Sequence, residues 1–296
     1  MQHLNPVSIF AVVLTDAAPR WLTVETVTAI DSGIDGLAVS LADGVLSVTI
    51  DRPDSLNSLT LPVTVGLADA MEHAANDPRV KVVRLGGAGR GFCSGAGMSA
   101  DDVAGAGPGD ELLVAANRVV RAITALPRPV VAVVHGPAAG VGVSIALSCD
   151  LVLASDTAFF MLAFTKIGLM PDGGASALIA AAIGRIGAMR MALLAERLPA
   201  ADALAAGLIS AVYPADDFEA EVDKVVASLL AGPAAAFAKT KHAINAATLT
   251  ELEPALQREH EGQSILLNSP DFREGARAFQ QRRTPAFTDS PDFTKD

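Results

Sequence analysis

The sequence predicts an α/β protein in which strands feed glycine-rich loops and helices, followed by a helical C-terminal region. Three observations carry this expectation. Short β-branched runs alternate with helix-periodic segments through the first half of the chain. The succession of strand, glycine-rich loop and helix occurs twice, about fifty residues apart. Beyond about residue 185 the pattern is almost wholly helical.

The first clear strand is 45–50, which alternates and is rich in β-branched residues, and Asp51-Arg52-Pro53-Asp54 closes it. Residues 1–35 precede it as an extension without a long helical period. An apolar-periodic helix is expected over 61–75, a second strand over 80–85, then the glycine-rich run 86–97. A helix over 110–125 leads to a third strand, 130–134, delimited by Pro127 and Pro129. After it come the loop 136–142, an apolar helix to about 148 and a strand over 151–154. Later helices are expected over 216–231, 233–248, 251–267 and 271–282, parted by Gly232-Pro233, Thr250 and Pro270. Such a tail has too much apolar surface to stand alone, so it packs on the core or on another subunit.

Composition narrows the function. The 296 residues are 51% apolar but only 4% aromatic, so the core is built from Ala, Val, Leu and Ile in close helix-on-sheet layers. A net charge of −11 with no Lys/Arg run argues against nucleic acid as a partner. Apolar runs such as 7–14 and 130–134 are far short of the ~20 residues a bilayer span needs. Residues 1–6 hold no Lys or Arg, against a secretory n-region, and a cytoplasmic location is expected. Cys93 and Cys149 make neither a disulfide framework nor a metal site.

Two segments carry chemistry. Gly86-Gly-Ala-Gly-Arg-Gly-Phe-Cys-Ser-Gly-Ala-Gly97 follows a strand, and glycines this dense allow positive φ and close backbone approach to a ligand. It lacks the Gly-Lys-Ser/Thr of a P-loop, and its glycine register does not suit a dinucleotide. Gly136-Pro-Ala-Ala-Gly-Val-Gly142 repeats the arrangement at the start of an apolar helix. Two such loops let two backbone N–H groups converge on one oxygen, the geometry that stabilises a thioester enolate.

Five ordered segments then resemble the enoyl-CoA hydratase/isomerase (crotonase) superfamily. They are Arg52-Pro-Asp-Ser-Leu-Asn57, Gly91-Phe-Cys-Ser-Gly-Ala96, Arg128-Pro-Val-Val-Ala-Val-Val-His-Gly136, Cys149-Asp150 and Lys166-Ile-Gly-Leu-Met-Pro171. The resemblance spans about 36–285 and implies a spiral of ββα units over 36–230. It also implies a helical oligomerisation region over 231–296 and homotrimers or dimers of trimers. The substrate it implies is an acyl-CoA thioester, so coenzyme A arrives with the substrate and no separate cofactor is expected. Oxyanion amides map onto Ser94 and Val141, and Leu56, Gly95, Ala96, Gly97 and Gly140 fall along the CoA and acyl path. Gly97 stands where many relatives carry Asp.

The acids choose the reaction. The two glutamates of family hydratases correspond here to Ser144 and Phe164, neither of which can act as a base. Asp172, in Pro171-Asp-Gly-Gly174, matches the acidic residue of the isomerase-like branch. By position alone a helix N-cap is the favoured reading. With both glutamates missing, the resemblance favours a proton shuttle on Asp172 that shifts an enoyl double bond. Alternatives are a hydratase recruiting Asp101, Asp102 or Glu111, a non-catalytic acyl-CoA-binding protein, or a cysteine hydrolase. The last would use Cys93 in an elbow-like Gly91-Phe-Cys-Ser-Gly95 with His242 or His260, although a small buried thiol is the favoured reading. His135 reads as a satisfied histidine and Asp150 as an orienter of backbone. Lys239, Lys241, Arg282 and Arg283 could meet CoA phosphates, but helical cations are more often simply solvated. The glycine-containing stretch 98–110 suggests a mobile pocket wall.

Overall fold

A computed structural model describes residues 28–30, 33–99, 102 and 109–288. Most of the expected 1–35 extension, Asp101 and much of the 98–110 stretch lie outside those residues.

The strands are β1 (Thr28–Ile30), β2 (Leu37–Ala42), β3 (Val45–Ile50), β4 (Val82–Gly87), β5 (Val130–Val134), β6 (Pro137–Ala139), β7 (Leu151–Ser155), β8 (Phe159–Met161), β9 (Leu198–Pro199) and β10 (Ala211–Tyr213). The helices are α1 (Leu61–Asn76), α2 (Glu111–Ala125), α3 (Val141–Ser148), α4 (Ala175–Leu194), α5 (Ala200–Ala205), α6 (Phe218–Leu230), α7 (Ala234–Thr248), α8 (Leu252–Leu267) and α9 (Pro270–Gln280). The main sheet runs β1-β2-β3-β4-β5-β7-β10, and a smaller one runs β6-β8-β9. In the main sheet β3, β4, β5, β7 and β10 are parallel, while β1 and β2 add antiparallel at one edge.

Both faces of the main sheet are covered, which is why β5 reads as an unbroken buried Val-Val-Ala-Val-Val. Val83, Leu85 and Ala132 face a large core that includes Leu67 and Met71 of α1 and Ile123 of α2. Their alternating neighbours Val82, Val131 and Val133 face Phe218, Val222 and Val226 of α6. The strand period of two thus sends successive valines into two different cores.

Several expectations are corrected. The segment read as an extension contributes β1, and β2 was not anticipated at all. Asp43 and Gly44 (φ +48° and +87°) join β2 to β3, the two-residue turn that an Asp-Gly pair favours in hairpins. The region beyond 185 is not wholly helical, because β9 and β10 complete the two sheets. Helix α4 is, by length and composition, apolar enough to cross a bilayer (mean hydropathy 1.6), which the sequence reading missed. Gly184 (φ 71°, ψ 168°) breaks it into two pieces, however, and its first turns pack Leu178 and Ile179 into the interior.

Candidate active site

The two glycine-rich loops meet because the first pairs with the strand that leads into the second. Cys93 N–H donates to Pro137 O (3.1 Å), and Ala139 N–H donates to Cys93 O (2.8 Å). On the other edge of the first loop, Leu59 N–H donates to Gly95 O (2.8 Å) and Gly97 N–H to Leu59 O (2.9 Å). Residues 93–97 are therefore a short strand-like segment held on both sides. Gly95 (φ +91°) must be glycine, since a Cβ there would lie 2.9 Å from Ala139 O. Gly140 (φ 55°, ψ −135°) turns the chain into α3 in a region that side chains avoid.

This arrangement corrects one expected oxyanion donor. Ser94 N–H donates to Leu56 O (3.0 Å), and Ser94 Oγ donates to Ser55 O (2.9 Å), so that amide is spent on bracing the loop. Leu56 (φ 54°) takes a left-handed conformation to offer its carbonyl. The amides without a partner among the described residues include those of Ala96 and Val141. The C=O of Gly95 and the N–H of Gly97 both face Leu59, so strand alternation turns the Ala96 N–H the other way. Val141 is the first residue of α3, where helix amides lack intrahelical acceptors and the macrodipole is positive.

Ser144 and Phe164 line the same corner without carboxylates. Phe164 Cζ is 4.0 Å from where a Cβ on Gly140 would stand. Ser144 Oγ donates to Asp172 O (2.7 Å), and a Cβ on Gly173 would lie 3.0 Å from both Ser144 Cβ and Val141 Cγ2. The turn carrying Asp172 is therefore pressed against the start of α3.

The Asp172 side chain is buried, and it does not cap α4. Its Oδ2 accepts from Gln263 Nε2 (2.8 Å), while Oδ1 is buried without a partner. Burial pushes the carboxyl up to about 7; the Gln263 amide opposes that rise and the Glu259 charge adds to it. The cap on α4 comes instead from Glu259 of α8, which accepts from Gly174 N–H (2.6 Å), Ser176 N–H (2.8 Å) and Ser176 Oγ (2.5 Å). Sequence reasoning missed both Glu259 and Gln263. Their signal was four-residue spacing on one helix, which becomes informative only once α8 is known to lie over the Asp172 turn.

The remaining candidates are accounted for. Cys93 is fully buried with its thiol pushed up to about 12, and its Sγ packs 2.9 Å from where a Cβ on Gly142 would stand. Its expected histidine partners are elsewhere: His260 pairs with Asp110 (2.9 Å) and His242 is exposed. Asp102 is held by Arg52 (2.8 Å) and Ser99 (2.7 Å), and its carboxyl fills the space beside Gly97, 2.5 Å from where a Cβ would be. Glu111 accepts from Gly109 N–H (3.1 Å). Asp150 accepts from Val130 N–H (2.7 Å) and from Lys241 (2.9 Å), which is thereby buried in a structural role rather than offered to a phosphate. Arg283 pairs with Glu274 (2.5 Å), whereas Lys239 and Arg282 are exposed. His135 Nε2 lies 2.9 Å from Gly89 O.

The two sheets, the paired loops and the helical C-terminal region are those of the crotonase fold. Residues 40–290 match the family described as enoyl-CoA hydratase/isomerase. The chain belongs to that family, whose enzymes act on acyl-CoA thioesters. It is 39% identical over 248 residues to a Rhodobacter capsulatus protein described as "Probable enoyl-CoA hydratase" (84% of this chain, 96% of that one). It is 35% identical over 249 residues to the 1,2-epoxyphenylacetyl-CoA isomerase of Escherichia coli K12 (83% and 95%). A crystal structure of an enoyl-CoA hydratase from Mycobacterium avium subsp. paratuberculosis K-10 superposes with a TM-score of 0.82 at 75% identity, covering 86% of this chain and all of that one.

Proposed function

We propose that the protein is an enoyl-CoA isomerase that moves a double bond with one carboxylate, Asp172. The observation that carries this reading is the state of that residue: a buried acid poised at about 7, with one oxygen unclaimed, beside a helix start and with no glutamate at 144 or 164. A base that takes a proton and returns it elsewhere works best when its pKa lies near the operating pH.

In the proposed cycle the thioester oxygen sits between the Ala96 and Val141 amides, with Leu56, Ser94, Gly95, Gly97 and Gly140 shaping the path of the acyl-CoA. Ionised Asp172 removes a proton from the α-carbon of a 3-enoyl thioester, the carbon between the carbonyl and the double bond. The electron pair moves through the carbon chain to the carbonyl oxygen, where the two amides hold the dienolate. The acid then delivers the same proton to the other end of the system. No water is added, so a second carboxylate is not required. Each oxyanion donor lowers the barrier by roughly 3 kcal/mol.

The described alternative acids are engaged: Asp102 by Arg52, Glu111 by a backbone amide and Glu259 by the start of α4. In the assay, 3-hexenoyl-CoA is followed to its conjugated isomer alongside hydration of crotonyl-CoA. Asp172→Asn is expected to cut isomerisation by about 10²–10⁴-fold. Equal rates in the variant would discard Asp172 as the base, and fast loss of crotonyl-CoA conjugation in the wild type would turn the assignment to a hydratase. We further propose that the enzyme works in the cytoplasm as a homotrimer or dimer of trimers, with 231–296 forming part of the interface.

A further inference from the structure

We infer that α8 belongs to the catalytic apparatus: Gln263 dedicates Asp172 Oδ1 to proton transfer, and Glu259 supplies the charge against which Asp172 ionises. This rests on the reading of Asp172 as the base and specifies how that base is held.

A carboxylate has two oxygens, and a proton shuttle gains if only one of them is available in a fixed place. Gln263 is 2% exposed and its amide is held on both sides. Its Oε1 accepts from Met170 N–H (3.1 Å), while Nε2 donates to Met170 O (2.9 Å) and to Asp172 Oδ2 (2.8 Å). Reversing the amide would set its oxygen against the carbonyl and the carboxylate, so the donor direction is fixed by its surroundings. Oδ2 is thereby occupied. Oδ1, buried with no protein partner, is the oxygen left to work.

Glu259 stands one helical turn before Gln263 on the same face of α8. Its three accepted hydrogen bonds fix residues 174–176, immediately after Asp172, and favour its ionised form, although burial holds its carboxyl above the ordinary range. Other ionisable groups on the surrounding elements are exposed or paired: Lys166 is exposed, His260 pairs with Asp110, and Arg258 pairs with Glu251 while its charge also favours the ionised form of Glu259. Val141 and Ser144, the α3 residues at this corner, carry no charge. Glu259 is the one ionisable side chain among the described residues that acts on Asp172.

The two residues therefore act in opposite directions. Loss of the Gln263 donor leaves the Asp172 carboxylate less stabilised, so it holds its proton to higher pH. Loss of the Glu259 charge lets it ionise at lower pH.

The test uses the full chain, with kcat and KM for 3-hexenoyl-CoA measured between pH 5 and pH 9. Gln263→Met is expected to move the rising limb of kcat upward, and Glu259→Gln to move it downward, each by roughly 0.5–1 pH unit. Gln263→Met should also lower kcat about tenfold or more, with KM changed less than about threefold. If Gln263→Met does not fold, Gln263→Glu serves in its place, since a second carboxyl beside Asp172 shifts the limb upward as well. A merely structural role would lower the amount of active enzyme without moving either limb in opposite senses. Folded variants with unmoved limbs, or with limbs moved the same way, would overturn the inference. Retained isomerisation in Asp172→Asn would instead overturn the reading beneath it, whereas an inactive Asp172→Asn with unmoved limbs would remove only the role of α8.

Discussion

At the scale of single residues, Asp172 couples catalysis to stability. Its carboxyl is raised from 3.8 to about 7, so the folded state holds a proton that the unfolded chain has already released. The sign follows: the contribution of this group to stability is fully present below about pH 4 and is lost as pH rises through about 7. At full ionisation the cost is on the order of 4 kcal/mol. Asp172→Asn, while disabling the proposed base, should therefore stabilise the protein at pH 8, with the difference from wild type vanishing towards pH 4; urea unfolding at the two pH values checks this. Ser94 illustrates a limit of reading single positions. A motif match gives the segment that lines an oxyanion site, but which amide is free depends on which carbonyls the neighbouring chain presents, and the Leu56 carbonyl claims Ser94.

At the scale of elements, the site is the meeting of two loops, one helix start and one distant helix. Both loops were legible because glycine density after a strand has a direct steric meaning. The edge hairpin was equally open to reading, since Asp43-Gly44 is a strong turn signal, but β2 was overlooked because its alternation is softened by Ala and Ser. The short strands β9 and β10 could not be read from periodicity, because two or three residues do not define a period. Gly140 tests the importance of the second loop's shape. A Cβ there would meet nothing closer than 3.5 Å, so the cost of Gly140→Ala is conformational rather than steric, roughly 1–3 kcal/mol. The expected result is a folded protein with a lower melting temperature and a kcat reduced about 10²-fold, as the Val141 amide swings off its target. Undiminished turnover would show that this amide does not hold the reacting oxygen.

At the scale of the whole molecule, one feature asks for a second copy of the chain. The second half of α4 leaves Ile186 (77% exposed), Leu193 (66%) and Leu194 (56%) in solvent, and the tail exposes Ile244, Ile265 and Phe279. Large apolar side chains left uncovered in this number are the usual mark of an interface. In the proposed trimer or dimer of trimers they are covered, so light scattering after size exclusion should give about three or six times the 30.3 kDa chain mass. Ile186→Glu combined with Leu193→Glu should lower that mass, and a monomeric wild type would refute the assembly. The sequence foretold a tail too apolar to stand alone, but not that α4, a core element at its start, would be among the least covered at its end. The break at Gly184 separates those two behaviours and has no signature beyond a single glycine in an alanine-rich helix.

Asp172 and Gln263 are 91 residues apart in the chain. During synthesis both glycine loops and the acid emerge from the ribosome well before α8 does. The carboxylate therefore leaves the ribosome before the partner that aims it. Under the inference drawn for α8, a chain that ends before α8 would lack the side chain that aims its base, whatever else of the site it forms.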